Sequence, residues 1–351
     1  MKAVIICGGI GSKMWPLSRN SLPKHFLPLI EGKSLFELNY EVLREKFEPS
    51  EIFLQTNETQ AEIAKKLKAE IPAENVFVEP EMRNQGPATG FAAASLIKRG
   101  FGDEAFILVQ ADVLRDPDEK FLKMIDEVEK LASETGKYLT GGFVPDMVVA
   151  GVDYLVKGDL VTEENGVKIY EVADYIDRSE EEKIKQYLGT DKLLLHANHT
   201  TMTPNKLLEM YKKYKPEWYQ PLVNISSDGD VVENYVAMPK GAIEEVTKIV
   251  YRSNEALVVE LPFKWVDFGT WESVAKYMGE KGIDENNEVL EIEGQDNFVY
   301  RKGKKMVVLI GVRDLVVVDT GDALLVSKKE DSGKVGQVVD KLKEEGKEEL
   351  L

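Results

Sequence analysis

The sequence holds little of what would commit it to several common classes of protein. Cysteine occurs once, at Cys7, so no disulfide can form within the chain. Cys7 ends an apolar run and reads as a small buried side chain rather than a nucleophile. No apolar stretch approaches the roughly 18 residues that span a bilayer. Residues 1–9 are too short, and too soon broken by glycine, for a secretory signal. These absences predict a cytoplasmic protein. Basic residues are also outnumbered: 45 Lys plus Arg face 62 Asp plus Glu, a formal net charge of −17. Such a chain repels nucleic acid and anionic membrane unless it carries a local basic patch, and no Lys/Arg block supplies one. A small anionic substrate would need a focused pocket of its own.

What is present suffices for a sizeable core. Of 351 residues, 43% are hydrophobic, and the length suggests two domains or one large domain with an appendage. Residues 2–7 form a continuous apolar run ending in glycines, the pattern of a buried parallel strand and its loop. Further strands are expected at 51–56, 75–79 and 105–110. They alternate with helical spacing at 34–47, 59–69, 89–98 and 118–133. This alternation predicts an α/β fold, a doubly wound and mostly parallel sheet with right-handed crossovers. The middle is less regular. Residues 138–156 and 167–177 read as strand-rich, 179–188 and 204–213 as helices, and 258–263 as a strand. Ser179 is the expected N-cap of its helix, with Glu182 in the capping-box position. The Trp218-Tyr219 pair reads as ordinary packing. Beyond about residue 281 the pattern changes to short valine-rich runs at 297–300, 306–310, 315–319 and 323–327, with glycines at the turns. A small β-rich domain is expected over 287–351, closed by a helix at 336–348.

The most informative segment follows the first strand: Gly8-Gly9-Ile10-Gly11-Ser12-Lys13-Met14-Trp15-Pro16-Leu17-Ser18-Arg19, then Pro23-Lys24. Three glycines in four positions let backbone N–H groups approach phosphate oxygens. Lys13, Arg19 and Lys24 add positive charge there. Taken alone, the glycines fit equally a tight turn with solvated lysines. Pro16 breaks the helix that a dinucleotide fingerprint requires, which disfavours a nicotinamide-dependent dehydrogenase. The Gly-Lys-Ser/Thr of a Walker loop is absent. Two carboxylates stand out further along. Asp112 lies just past an expected strand end, the usual ligand edge of an open α/β sheet, and Asp267 follows another. Each could be a turn or capping aspartate. Together they suit Mg²⁺, which takes few protein ligands and leaves positions for phosphate oxygens.

The whole string is more specific than its glycines. It resembles the G-G-x-G-[ST]-R-x-x-P-L…P-K opening of the nucleotide-sugar pyrophosphorylases, and Trp15–Arg19 has the form found in mannose-1-phosphate guanylyltransferases. Glu79-Pro80 with Arg83-Asn84-Gln85-Gly86-Pro87-Ala88 is similar to that family's E-P-x-x-R-N-T-A-P-A segment. Ala111-Asp112 resembles its P-A-D-H strand end, and Trp265–Trp271 resembles W-S-D-V-G-S-W. Residues 311–320 and 322–326 match its C-terminal region. The resemblance implies a nucleotidyltransferase domain over residues 1–286. It implies a nucleoside triphosphate (GTP) and a sugar-1-phosphate (mannose-1-phosphate) as substrates, Mg²⁺ on Asp112 and Asp267, and a homodimer as an admissible assembly. Lys13, Lys24, Asp112 and Asp267 become the expected catalytic residues. Gly8, Gly9, Gly11, Ser12, Asn84 and Pro87 become the expected nucleotide-binding residues. Gly151, Asp177, Arg178 and Asn198 become the expected sugar-side residues, with Arg178 holding the incoming phosphate.

The sequence departs from the pattern chiefly on the sugar side. Asp153 stands where T-G-Y-G-Y-I has its second glycine. Tyr175-Ile176-Asp177-Arg178-Ser179 stands for F-V-E-K-P, and Leu195-His196-Ala197-Asn198-His199 for W-N-A-G-M. Gln110 and Val113 replace the Pro and His around the first aspartate, and Lys13 replaces an arginine. His196 and His199 lack a recognisable third ligand for a metal. Either the sugar differs or sugar chemistry has been lost. In the second case the chain would be a catalytically weak paralogue that binds sugar nucleotide as a regulatory or scaffolding subunit.

Overall fold

A computed structural model describes residues 1–9, 11–149, 151–283 and 289–351. The expected domain boundary between 286 and 287, and the positions Ile10 and Ala150, lie outside the described residues.

The chain opens with β1 (Lys2–Ile6), β2 (Pro28–Ile30), β3 (Lys33–Ser34) and α1 (Leu35–Arg44). Ser34 and Glu37 cap α1 reciprocally. There follow β4 (Ile52–Thr56), α2 (Glu58–Leu67), β5 (Val76–Val78), α3 (Gln85–Lys98), β6 (Phe106–Gln110), β7 (Val113–Asp116) and α4 (Asp118–Thr135). The middle holds β8 (Tyr138–Phe143), β9 (Tyr154–Glu164), β10 (Val167–Ile176), α5 (Glu181–Tyr187) and β11 (Leu193–Met202). Next come α6 (Pro204–Tyr214), α7 (Pro216–Ser226), α8 (Val231–Ala237), α9 (Glu244–Arg252), β12 (Ala256–Glu260), β13 (Lys264–Asp267) and α10 (Trp271–Lys281). The C-terminal part holds β14 (Val289–Ile292), β15 (Phe298–Arg301), β16 (Val307–Ile310), β17 (Leu315–Asp319), β18 (Leu324–Lys328) and α11 (Gly336–Glu344).

Nine strands form one sheet in the order β5-β4-β1-β6-β11-β8-β12-β10-β9. The half from β5 to β6 is parallel, as the βα alternation predicts. β11 enters antiparallel to both β6 and β8, and β9 and β10 form a long antiparallel hairpin. The hairpin turns at Asn165-Gly166, both at positive φ (54° and 79°). Asn-Gly is the dipeptide a two-residue hairpin turn favours, so this signal was present in the sequence. Alternate residues of β1 serve opposite faces. Ala3 and Ile5 pack with Phe36 and Tyr40 of α1 and Met124 of α4, while Val4 packs with Phe91 of α3, Tyr211 of α6 and Trp218 of α7.

Helix ends differ from the sequence reading by up to four residues, and at two of the N-termini the cause is visible. α3 begins at Gln85 rather than at 89, because Gly86 and Pro87 fall in a first turn whose N–H groups need no helical partner. Gly86 is required there: a Cβ would lie 2.1 Å from the Trp218 ring. Trp218 is fully buried and donates from Nε1 to the Pro239 carbonyl at 2.8 Å, a packing residue as expected. Ser179 does not cap α5; Glu180 holds that position. Ser179 instead donates from N and Oγ to Asp177 Oδ1 (3.0 and 2.6 Å), a local turn that outcompetes the cap.

The C-terminal strands pair as β14 with β16 and β15 with β17, both parallel, while β18 runs antiparallel to β17. Parallel pairing of strands two apart winds the chain into coils rather than hairpins. This region is not a peripheral appendage. Met14, Trp15, Leu27, Phe268 and Trp271 share one buried cluster with Tyr300, Val316, Val318, Val335 and Leu342.

Candidate active site

The glycine loop leaves β1 at its C-terminal edge. Gly9 (φ 78°) and Gly11 (φ 74°) adopt the left-handed conformation that side chains resist. A Cβ on Gly11 would also lie 2.5 Å from Lys24 Cγ, so this glycine lets Lys24 pass beneath the loop. Gly8 and Gly9 are exposed and would meet nothing within 4 Å, so their backbone faces open space. Gln60 Nε2 braces the Gly9 carbonyl at 3.3 Å, and Ser18 Oγ braces that of Gly11 at 2.7 Å. A groove of about 920 Å³ opens beside Gly9, between Asn57, Glu79 and Met82.

The two aspartates converge because β13 pairs antiparallel with β7, placing Asp267 opposite Val113, the neighbour of Asp112. Phe268 N closes the junction on the Asp112 carbonyl at 3.2 Å. Lys24 lies between the carboxylates, with Nζ 2.6 Å from Asp112 Oδ2 and 3.9 Å from Asp267 Oδ1. Loss of solvent in the cleft raises the Asp267 carboxyl above its ordinary range; Asp112 adds to the rise, and Lys24 and Lys13 oppose it. The Asp267 side chain nevertheless keeps 63% of its surface. Lys13 itself is exposed. Two carboxylates around one cation form a donor set for a divalent ion that takes its remaining ligands from phosphate and water. Among the described residues no group of three or more His, Cys, Asp or Glu side chains does so.

The other expected residues are placed less uniformly. Ser12 faces the C-terminal domain, where a Cβ on Gly336 would lie 3.6 Å from its Oγ. Asn84 is exposed and caps α3, accepting from Gln85 N at 2.8 Å. Pro87 is buried in the first turn of α3 and offers no open surface. Gly151 is exposed at positive φ (78°). Asp177 is engaged by Ser179. Arg178 is held by Asp153 rather than standing free, with Nε on Oδ1 at 2.9 Å and Nη2 on Oδ2 at 2.8 Å. Asn198 lies on β11, its carbonyl accepting from Gln110 Nε2 and its amide donating to Gln85 Oε1.

Cys7 is buried, and burial together with nearby Asp112 pushes its thiol pKa up, so it stays protonated. His196 shares Nε2 with the hydroxyls of Thr140 and Tyr251, both at 3.0 Å, and His199 Nε2 meets Thr201 Oγ1 at 2.9 Å. His196 is thus engaged by two buried hydroxyls, whereas His199 Nδ1 is buried without a hydrogen-bond partner.

Sequence reasoning missed Arg115. It is 3% exposed and lies near the rings of Phe121 and Trp265. Its guanidinium donates to Asn39 Oδ1 and Gln110 Oε1, each at 2.9 Å. Burial lowers its pKa to about 10, which leaves it charged at neutral pH. It therefore fixes Gln110, which in turn holds Asn198. Period-two alternation puts Arg115 on the same face as Val113, and nothing local marks it as functional.

The loop is also braced from the C-terminal side. Trp15 Nε1 donates to the Leu350 carbonyl at 2.9 Å, and Arg19 pairs with Asp322 at 2.9 Å. Trp271 Nε1 donates to the Trp15 carbonyl at 3.0 Å.

Comparison with known proteins bears on the fold and the reaction class. Residues 2–148 match the nucleotidyl transferase family, and residues 287–342 match the mannose-phosphate isomerase/GMP-like β-helix domain. A mannose-1-phosphate guanylyltransferase of Salmonella muenchen is 29% identical over 99% of this chain and 74% of its own length. One from Escherichia coli K12 is 26% identical over the same shares. A crystal structure described as mannose-1-phosphate geranyltransferase from Thermus thermophilus superposes with a TM-score of 0.80. It is 24% identical and covers 97% of this chain and 99% of its own. Residues 2–148 thus carry a nucleotidyl transferase domain and residues 287–342 a β-helix domain, and the chain is an enzyme similar over almost its whole length to mannose-1-phosphate guanylyltransferases.

Proposed function

We propose that the enzyme transfers a guanylyl group from GTP to mannose-1-phosphate, forming GDP-mannose and pyrophosphate. The observation that carries this reading is Lys24 held between Asp112 and Asp267 below an open glycine loop. The full-length relatives supply the substrate class. A phosphate oxygen of the sugar-1-phosphate attacks the α-phosphorus, and the bond from that phosphorus to the β-phosphate bridging oxygen breaks. The attacking oxygen is already anionic, so no general base is required. Catalysis is then alignment and charge neutralisation. Gly8, Gly9 and Gly11 offer backbone N–H groups to the triphosphate, and Lys13 and Lys24 offset charge on it and on the departing pyrophosphate. Mg²⁺, held by Asp112 and Asp267, would neutralise phosphate oxygens. Asn84 and Pro87 are assigned to the nucleotide, and Gly151, Asp177 and Asn198 to the sugar, on the sequence resemblance.

The reading includes a cytoplasmic homodimer and two domains, residues 1–286 and 287–351. No described helix is long and apolar enough to cross a membrane. On β14 and β16, Leu290 pairs with Val308 and Ile292 with Ile310, and all four side chains are exposed. Such an apolar row supports self-association. A non-catalytic paralogue is the less favoured reading, because Lys24, Asp112 and Asp267 meet in one place.

The deciding experiment supplies the purified protein with Mg²⁺, the four nucleoside triphosphates and a panel of hexose-1-phosphates, and measures pyrophosphate. Release with GTP and mannose-1-phosphate above every other pair is expected. Triphosphate binding without release from any pair would leave the paralogue reading in place. Lys13→Arg should keep full activity or exceed it, because a planar fork suits phosphate oxygens better than a point charge. A folded but inactive Lys13→Arg protein would show that the loop has been rebuilt around lysine.

A further inference from the structure

The sugar-side departures are not independent of one another. Asp153 stands where the family pattern has glycine, and Arg178 where it has lysine; in the fold these two residues meet. Asp153 is 3% exposed, and its carboxylate accepts three N–H groups from Arg178 alone. Backbone N and Nε reach Oδ1, both at 2.9 Å, and Nη2 reaches Oδ2 at 2.8 Å. The Tyr175 hydroxyl bonds the same carboxylate. Burial by itself would raise the Asp153 carboxyl; the bonds from Arg178 and Tyr175 outweigh it and hold the group ionised.

A guanidinium has two forked edges. The Nε–Nη2 edge of Arg178 is spent on Asp153. The Nη1–Nη2 edge has no protein partner among the described residues, and 51% of the side chain is open. The pair is also tied to the reaction centre. His196 N on β11 donates to the Asp153 carbonyl at 2.9 Å. Two residues along the same strand, Asn198 is held by Gln110, itself two residues before Asp112.

We propose that Asp153 is a positioning residue of the sugar-phosphate site: it clamps Arg178 by one edge so that the opposite edge receives the phosphate of the sugar-1-phosphate. This rests on the nucleotidyl-transfer reading above. The clamped pair is close to electrically neutral, so its advantage is geometric. A lysine offers a mobile point charge, whereas a fixed guanidinium edge offers two parallel N–H groups whose ordering cost is met in folding. The swap of Gly and Lys for Asp and Arg is then one coupled change that keeps the phosphate grip.

The test uses the full chain with Mg²⁺ and GTP, and follows KM for mannose-1-phosphate and for GTP separately. Arg178→Lys, at a half-exposed position that leaves folding intact, should raise the sugar-phosphate KM by at least about tenfold, since Asp153 captures the single ammonium. The KM for GTP should stay near wild type. Asp153→Asn should act in the same direction. The double variant Asp153→Gly with Arg178→Lys should recover most of the loss, which a merely structural role for Asp153 would not allow. A fall in sugar-phosphate KM for Asp153→Asn would overturn the proposal, because the carboxylate would then be competing for Arg178. So would an equal rise in both KM values, or no rescue by the double variant. If the wild type releases pyrophosphate with no substrate pair, the transfer reading fails, and calorimetry with mannose-1-phosphate and with inorganic phosphate judges the clamp separately. Binding by wild type that is lost in Arg178→Lys would support the clamp, and no binding by wild type would overturn it.

Discussion

Lys24→Ala is expected to lower pyrophosphate release at least about a hundredfold, the scale of losing one electrostatic stabiliser, and Asp267→Ala by a similar factor. Lys24 Nζ reaches both carboxylates. Removing it leaves Asp112 and Asp267 facing each other without the cation between them, just where a triphosphate must bring further negative charge. Removing Asp267 takes away half of the carboxylate pair that would hold Mg²⁺. A kcat series at saturating substrates, with circular dichroism to confirm folding, checks both. Either variant turning over at near wild-type rate would remove that residue from the catalytic assignment.

The second large effect is on stability. Burial lowers the pKa of His25 to about 4, of His196 to about 4 and of His199 to about 3. In the unfolded chain all three titrate near about 6.5. Between these limits the unfolded chain binds protons that the folded chain does not, so folding weakens as pH falls. The contribution is fully present above about pH 6.5 and is progressively lost toward the folded values of 3–4. From pH 7 to 5 each histidine costs roughly 2 kcal/mol, on the order of 6 kcal/mol for the three. Asp118 and Asp267, whose carboxyls are raised chiefly by desolvation, act in the opposite sense, and only as the pH nears the carboxylate range. Urea midpoints at pH 7.5, 6.5, 5.5 and 5.0 should fall steadily, and His25→Gln should reduce the slope by about one proton. A flat profile over that range would show that the imidazoles reach solvent when folded.

The parallel half of the sheet was legible because buried parallel strands read as unbroken apolar runs, as at residues 2–7 and 105–110. In the antiparallel half the stretches holding β8, β10 and β12 were read as strand, whereas β11 and most of β9 were not; β9 is buried at one end and exposed along Asp159–Leu160–Val161, which blurs any single period. Helices α7 to α9 were also unread. In α7, Pro216 lies in the first turn and Pro221 inside the helix, whose Trp218 and Leu222 are buried in the core.

For the site, the sequence alone determined the chemical parts: a glycine loop, lysines beside it, and two aspartates at strand ends. Local residue types suffice for that, because backbone access and charge are properties of the residues themselves. Only the tertiary structure decided how the parts combine. Asp267 reaches Asp112 through the pairing of β13 with β7, across 155 residues of chain. Arg178, just past β10, is engaged by Asp153, just before β9. Trp15 and Arg19 are braced by Leu350 and Asp322 at the far end of the sequence. Burial, pairing partners and the free edge of a guanidinium depend on which segments the packed core brings together, and no local pattern encodes that.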